Sequence, residues 1–191
     1  MEIEQHPLEP FLPTNAKLLM LGSFPPQRKR WSMEFYYPNW NNDMWRIVGL
    51  IFFGDKEHFV VKGKRAFSKE ELIAFLQEKG IALYDTATAV RRLQDNASDK
   101  FLEVVQPTDV RNLLERLPQC RAIVTTGEKA TDTLCRTFSL TAPKVGDFTE
   151  FLFGERSLRL YRMPSSSRAY PLALDKKATA YRVMYQDLQM L

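Results

Sequence analysis

Cysteine is scarce in this sequence: Cys120 and Cys135 are the only two among 191 residues, and they form no CxxC pair. A structural zinc ion needs about four ligands, and a cubane iron–sulfur cluster takes about four cysteines, so neither centre fits. We therefore expect two buried, reduced thiols, as in a cytoplasmic protein, and no metal or other cofactor.

Long apolar runs are missing as well. The longest apolar patch covers residues 47–53, far short of the roughly 20 residues that a membrane-spanning helix needs. The N-terminal stretch MEIEQHPLEP is acidic and broken by proline, whereas a secretory signal is basic and then apolar. We expect a cytoplasmic protein without a membrane partner.

Neither sign of charge dominates, because 27 Lys and Arg oppose 23 Asp and Glu, for a formal net charge of +4. This balance permits an anionic partner such as nucleic acid but does not require one. An apolar content of 45% with only 8 glycines is typical of a globular chain, and the length fits one domain over residues 1–191. Pro7, Pro10 and Pro13 predict that residues 1–15 form an extended arm on that domain.

The sequence does contain an alternation of strand and helix patterns. Continuous apolar runs, typical of buried parallel strands, occupy residues 18–21, 81–84 and 122–124. Helical patterns occupy residues 42–53, 69–79, 108–117, 128–138 and 175–191, and a hairpin spacing covers 148–153 and 158–163. Ser68 and Thr108 are the expected caps of their helices, and residues 86–99, including Asn96, are expected to form a polar loop. The alternation predicts a three-layer α/β/α sandwich with a central, mainly parallel four-stranded sheet.

Four polar segments follow predicted strands, at residues 22–26, 84–86, 125–127 and 164–168. Ligand crevices in parallel sheets lie beyond the carboxyl ends of the strands, so we expect these segments to converge on one pocket.

Four short motifs occur in order along the chain. They are Gly22-Ser23-Phe24-Pro25-Pro26, Tyr36-Tyr37 followed by Asn42-Asp43-Met44-Trp45, Gly80-Ile81-Ala82-Leu83-Tyr84-Asp85, and Met163-Pro164-Ser165-Ser166-Ser167. Together they resemble the uracil-DNA glycosylase superfamily and, within it, the hypoxanthine-DNA glycosylase-like branch. Two positions depart from sister branches, in which the first motif carries asparagine where this chain has Phe24 and the second opens with histidine where it has Met163. The only histidines, His6 and His58, lie outside the motifs and are expected at the surface.

The resemblance implies a glycosylase-like fold and hydrolysis of the N-glycosidic bond of a deaminated base, such as hypoxanthine, xanthine or uracil, flipped out of DNA. It implies that Tyr37 is the stacking platform for that base, whereas Tyr36 is structural. Asn42 is interpreted as the residue that orients the attacking water, the alternative being a helix cap. Asp85 is interpreted as the acceptor of a proton from water or of a hydrogen bond from the edge of a base, the alternative being a structural hydrogen-bond acceptor.

The remaining predicted site residues bind substrate or DNA. The predicted substrate-binding positions are Gly22, Ser23, Phe24, Pro25, Tyr37, Thr126 and Gly127, although Thr126 can also be a plain helix cap. The predicted DNA-binding positions are Arg28, Arg30, Pro164, Ser165, Ser166, Ser167 and Arg168, although a solvated charge run is the alternative for the arginines near the first motif.

The leading hypothesis is a monofunctional, monomeric DNA glycosylase that acts on single- or double-stranded DNA. It is expected to be monofunctional because the motifs contain no lysine to form a Schiff base, although Lys29 lies close by. The alternative is a catalytically weak or inactive nucleic-acid- or nucleotide-binding member of the same fold, which Phe24 supports. A nucleotide-binding or transfer enzyme is disfavoured, because GxGxxG and GxxxxGK[ST] are absent.

Overall fold

The computed structural model describes residues 1–95 and 98–191, so Asn96 lies outside the described residues. The described part contains eight strands: β1 (Glu4–Gln5), β2 (Leu18–Gly22), β3 (Ile81–Asp85), β4 (Ala87–Arg92), β5 (Leu102–Pro107), β6 (Ala122–Thr126), β7 (Phe148–Phe153) and β8 (Arg156–Met163). It contains five α-helices: α1 (Met44–Phe53), α2 (Lys69–Lys79), α3 (Val110–Glu115), α4 (Glu128–Phe138) and α5 (Leu174–Asp187).

The central sheet has the strand order β3-β2-β6-β8-β7. Strands β2, β3 and β6 are buried at every position, which explains why their sequences are apolar without alternation. The first four strands of this order run parallel, and β7 joins β8 as an antiparallel hairpin. The predicted α/β class with a mainly parallel sheet is confirmed. The sheet has five strands rather than four, because the hairpin adds β7 to its edge.

A second, three-stranded sheet has the order β1-β4-β5. The prediction of a polar loop at residues 86–99 was therefore wrong over Ala87–Arg92, which form a strand with Ala87, Ala89 and Val90 buried. The N-terminal arm is extended, as predicted, and supplies the third strand: Glu4 and Gln5 pair with Val90 and Ala89.

Local capping signals decided some helix ends. At α2, the Ser68 side chain accepts a hydrogen bond from the Glu71 amide, as the capping box predicts. At α3, Asp109 accepts from the Asn112 amide, so the prediction of Thr108 as the cap was wrong. The Thr108 hydroxyl instead donates to the carbonyl of Asp85, at 2.6 Å. Cys120 and Cys135 are buried free thiols, as predicted.

The parallel register brings the strand ends to one edge of the sheet. Gly22 is paired with Asp85 on the neighbouring strand, and Thr126 is paired with Met163. The predicted convergence of the four polar segments is therefore present in the fold. Among residues 1–95 and 98–191, no helix is long and apolar enough to span a membrane.

Candidate active site

A cavity of about 120 Å³ opens at this edge of the sheet. One water molecule needs only roughly 10–15 Å³, so the cavity can receive a group of many atoms. The predicted site residues that line it are Gly22, Ser23, Phe24, Pro25, Tyr37, Asn42, Asp85, Thr126, Ser165, Ser166 and Ser167. The predicted residues outside its lining are Gly127, Arg28, Arg30, Pro164 and Arg168.

Gly22 lies where three polar side chains meet. A Cβ atom at this position would lie 2.7 Å from Oδ1 of Asp85, 3.3 Å from the Tyr37 hydroxyl and 3.6 Å from Oγ1 of Thr126. The absence of a side chain at Gly22 therefore lets the three oxygens approach one another at the cavity floor.

Tyr37 is held in an unusual backbone conformation. Its φ of 50° lies in the left-handed region, which a non-glycine residue adopts only where the surroundings impose it. The ring packs edge-on against Trp45, with centroids 5.7 Å apart, and the hydroxyl bonds to Oγ1 of Thr126 at 2.9 Å. Burial, and then the charge of Asp85, raises the pKa of Tyr37 well above its ordinary range, so the phenol stays protonated.

Tyr36 faces the core, in contrast to Tyr37. It is only 4% exposed, and its hydroxyl donates to the carbonyl of Glu9 in the arm at 2.6 Å. Burial raises the pKa of Tyr36 well above its ordinary range. Tyr36 thus ties the aromatic segment to the arm.

Thr126 does not cap the helix that follows it. The cap position of α4 is Gly127, which has no side chain to donate or accept, and its φ of 114° favours glycine. The amide of Gly127 donates to the carbonyl of Met163 at 3.3 Å. The capping alternative for Thr126 was therefore wrong, and its hydroxyl is free to serve the cavity floor with Tyr37.

Asn42 precedes α1, and its Oδ1 accepts the amide of Met44 at 2.9 Å. The helix begins at Met44 rather than at residue 42. The bond to Met44 fixes the plane of the carboxamide, whose second acceptor lone pair and two donor hydrogens are not used by it. Capping and contact with a ligand are therefore compatible functions for this residue.

Asp85 is paired with a histidine. Nε2 of His6 lies 2.7 Å from Oδ2 of Asp85, and the two side chains are 2% and 8% exposed. The prediction of His6 at the surface was wrong, because the β1–β4 pairing carries the arm across the end of β3. His58 is exposed and stacks on Phe53, as expected of a surface residue.

Several lining residues were not predicted as site residues from the sequence, among them Arg92 and Asp99. Arg92 donates to the carbonyl of Pro25 at 2.7 Å and forms an ion pair with Glu4, so it joins the arm to the first motif. Burial raises the pKa of Asp99 above its ordinary value, against a hydrogen bond from Ser23 that lowers it. Arg92 lies at the end of strand β4, and Asp99 begins a short 3-10 turn, Asp99–Phe101, within the residues that were predicted as a loop.

At the two positions that depart from the sister motifs, the side chains are apolar and buried. Phe24 packs with Ala87, Val90 and Leu102, and Met163 is 1% exposed in the main core.

Residues 164–168 after β8 form the serine loop, which is fixed by hydrogen bonds on its buried side. The Asp43 amide donates to the carbonyl of Ser166 at 2.8 Å, and Nζ of Lys177 donates to that of Ser167 at 2.9 Å. Pro164 and Ser166 are buried, whereas Ser165 and Ser167 are half-buried and Arg168 is exposed. The surface that this loop can offer to DNA is therefore formed by its last residues.

Three cations surround one carboxylate behind that loop. Oδ1 of Asp43 lies 3.2 Å from both Arg46 and Arg168, and Oδ2 lies 3.8 Å from Lys177. Arg46 and Lys177 are 4% and 1% exposed. Burial lowers the pKa of both groups, and nearby Arg168 lowers them further, while Asp43 opposes the shift.

The basic run near the first motif forms a short 3-10 turn, Arg28–Arg30. The Arg28 guanidinium lies 4.2 Å from the centroid of the Trp31 ring and is also paired with Glu34. Lys29 is exposed and pairs with Asp95 at 3.1 Å, so this lysine does not face the cavity.

The chain is similar in fold to a proposed uracil DNA glycosylase of Methanosarcina acetivorans solved by NMR, with a TM-score of 0.65 and 23% identity over 98% of this chain and 99% of that chain. The fold is therefore uracil-DNA glycosylase-like. No protein-family model matches.

A second comparison concerns sequence. A curated protein named hypoxanthine DNA glycosylase, also from Methanosarcina acetivorans, is 29% identical over 119 residues, which cover 62% of this chain and 68% of that protein. The resemblance carried by the four motifs, to the hypoxanthine-DNA glycosylase-like branch of the uracil-DNA glycosylase superfamily, is confirmed by this relative together with the fold.

Proposed function

We propose that the protein is a DNA glycosylase that hydrolyses the N-glycosidic bond of a deaminated base, hypoxanthine, xanthine or uracil, flipped out of single- or double-stranded DNA. The observation that carries the proposal is the cavity floor at Gly22, where the oxygens of Asp85, Tyr37 and Thr126 meet beside Asn42. The relative named hypoxanthine DNA glycosylase and the glycosylase-like fold support it.

Departure of a base leaves negative charge on the base and oxocarbenium character on the sugar. Fixed hydrogen-bond donors at the base oxygens stabilise this transition state more than the ground state. Tyr37 and Thr126 carry two hydroxyl protons and use one between them, so the other can be donated to a bound base. The ring of Tyr37 is the proposed stacking platform for that base.

Water is the proposed nucleophile. Asn42 would orient it and Asp85 would accept its proton while the C1′–N bond breaks toward the base, leaving an abasic sugar and, after protonation, a free base. Among the described residues that line the cavity there is no lysine to form a Schiff base. Lys29 pairs with Asp95, and Lys177 bonds to the serine loop, which supports a monofunctional hydrolase.

DNA contact is proposed for Arg28 and Arg30 beside the first motif and for Ser165, Ser167 and Arg168 on the serine loop, with Pro164 and Ser166 supporting that loop from its buried side. Ser165, Ser166 and Ser167 also line the cavity, whereas Arg28, Arg30 and Arg168 lie outside its lining. We further propose that the enzyme acts as a monomer in the cytoplasm, which the buried free thiols support.

One observation favours a second candidate function, a nucleic-acid-binding protein that lost catalysis. The first motif presents Phe24 to an apolar cluster in place of an asparagine that positions water in sister branches. In that case the cavity would bind a flipped base without cleaving the bond.

Excision assays separate the two functions. Duplexes and single strands carrying hypoxanthine, xanthine or uracil at one position are incubated with the protein, and abasic sites are then cleaved with alkali; an undamaged strand of the same sequence is the control. The glycosylase proposal predicts strand cleavage with at least one of the three bases. Binding without cleavage of any of them would establish the non-catalytic alternative.

A further inference from the structure

His6 and Asp85 form a buried titratable pair. The proposed chemistry uses Asp85 but gives no role to His6. His6 belongs to the N-terminal arm, outside all four motifs, and lies 79 residues from Asp85 in sequence. Its ring is 4.5 Å from that of Tyr84 and 5.3 Å from that of Phe24, measured between centroids. The imidazole is thus enclosed by aromatic rings at the end of β3.

Hydrogen bonds on both ring nitrogens define the tautomer. The backbone amide of Leu8 donates to Nδ1 of His6 at 3.1 Å, which makes Nδ1 an acceptor without a proton. The proton of the neutral ring is therefore on Nε2, which donates to Oδ2 of Asp85 at 2.7 Å. Pro7, between the two arm residues, limits the conformations of this short turn.

The two oxygens of Asp85 consequently have different environments. Oδ2 is held by His6, and Oδ1 points toward the position of a Gly22 Cβ, where the Tyr37 hydroxyl also lies. The backbone of the same residue is fixed by the Thr108 hydroxyl, which donates to its carbonyl at 2.6 Å. A carboxylate held in this way presents one oxygen in a single direction.

We propose that His6 is a positioning residue for the glycosylase: as a neutral Nε2–H donor it holds Asp85 so that Oδ1 faces the water at the cavity floor. This inference rests on the proposed function and deepens it, because it assigns a catalytic requirement to the N-terminal arm. His6 exchanges no proton with substrate. The water proton goes to Asp85, the new C–O bond forms at C1′, and the bond electrons leave with the base.

Two substitutions separate hydrogen bonding from packing. His6→Phe keeps an aromatic ring against Tyr84 and Phe24 but removes both hydrogen bonds. His6→Gln removes the ring but places an amide donor at the position of Nε2. His58→Phe is the matched control at the exposed histidine on Phe53, outside the site.

A positioning role predicts that His6→Phe lowers the single-turnover excision rate by about 100-fold, as expected when a reacting group is displaced by roughly 1 Å. Affinity for damaged DNA should be unchanged, His6→Gln should recover most of the rate, and His58→Phe should match wild type. In an Asp85→Asn background, His6→Phe should cause no further loss, because the two residues act as one unit. This double variant also lacks the buried carboxylate that His6→Phe leaves unpaired, so it covers the case in which the single variant unfolds.

The tautomer can be read without activity. Long-range ¹H–¹⁵N correlation spectra of the protein should show a neutral His6 protonated on Nε2, and a ring protonated on Nδ1 would overturn the assignment. An active His6→Phe together with an inactive His6→Gln would overturn the positioning role in favour of packing. If the wild-type protein excises none of the three bases, the proposed function is overturned and the role of His6 with it. If the wild type is active but the rate losses of His6→Phe and Asp85→Asn add up in the double variant, only the role of His6 is overturned.

Discussion

The two sides of the cavity differ in their balance of negative and positive side chains. On the arm side, one carboxylate, Asp85, faces one imidazole, His6. Behind the serine loop, one carboxylate, Asp43, faces three cations, Arg46, Arg168 and Lys177, which leaves an excess of two positive charges from three minus one.

This difference indicates how the work is divided. Because Oδ2 of Asp85 is held by His6, Oδ1 is directed to the cavity floor and suits contact with water or with cationic character on a sugar. A surplus of positive charge beneath a loop suits the phosphates of a DNA backbone, which approach from solvent next to the exposed Arg168. Chemistry is therefore expected on the arm side and backbone binding on the serine-loop side.

The largest expected effect comes from removing the single negative charge behind the serine loop. Asp43→Asn keeps the shape but leaves buried Arg46 and Lys177 without a counter-charge, so the free energy of unfolding should fall by about 3–5 kcal/mol. Adding Lys177→Met should restore part of the loss, since a buried cation is replaced by an apolar chain. Denaturant titration measures both variants.

Asp132→Ala is the control for that measurement, because Asp132 is exposed on α4 and should change stability little. If Asp43→Asn is as stable as this control, the surplus positive charge is not held in place by Asp43, and the contrast between the two sides disappears.

The second prediction concerns Asn42, which pairs with Ser167 of the serine loop and lines the cavity. Asn42→Ala removes both the proposed water contact and the bond to the Met44 amide, so excision should fall about 10²–10³-fold and stability by about 1 kcal/mol. Asn42→Ser keeps an oxygen acceptor for that amide but not the carboxamide. Single-turnover rates and melting curves should therefore show a stable but slow Asn42→Ser protein; a fast one would make Asn42 a cap alone.

The third prediction sharpens the assignment of the two tyrosines. Tyr37→Ala should weaken binding of a flipped base by about 1–3 kcal/mol with the fold intact, since stacking is lost. Tyr37→Phe keeps the ring, and the Thr126 hydroxyl keeps a proton for the base, so binding of the flipped base should remain near wild type. Tyr36→Ala, in the core, should instead lower the melting temperature. Unfolding by Tyr37→Ala but not by Tyr36→Ala would reverse the two roles.

The smallest expected effect is on the salt dependence of DNA affinity. Each neutralised phosphate contributes roughly 0.9 log unit of affinity per log unit of salt. Arg28→Ala with Arg30→Ala should flatten the slope by about two contacts, and Arg168→Ala by about one. Fluorescence anisotropy at several salt concentrations measures the slopes. An unchanged slope in the Arg28 and Arg30 double variant would remove that turn from the DNA surface, leaving the serine-loop side as the backbone contact.

Some features followed from the sequence because their causes are local. Continuous apolar runs predicted β2, β3 and β6, and the capping box at Ser68 predicted the start of α2. Parallel strands end at a common edge, so the meeting of Gly22, Asp85 and Thr126 was predictable from the strands alone. Resemblance in four short motifs added the expected chemistry.

Other features depend on pairings that leave no local pattern. Arg91 and Arg92 made residues 86–99 look like a polar loop, but β4 is the middle strand of the small sheet, and its two arginines pair with Glu103 on β5 and Glu4 on β1. Thr108 resembled a helix cap, but Asp109 occupies the cap position. The Thr108 hydroxyl donates instead to the carbonyl of Asp85.

The sequence by itself determined the strands of the central sheet, the helices, the cavity edge and most of the residues that line it, but not the small sheet of β1, β4 and β5. Only the tertiary structure placed His6 on Asp85, 79 residues away, and Arg168 on Asp43, 125 residues away. A histidine in an acidic, proline-containing arm has no periodic or capping signal. Its position is decided by long-range strand pairing that buries it among aromatic rings, and this pairing exists only in the folded chain.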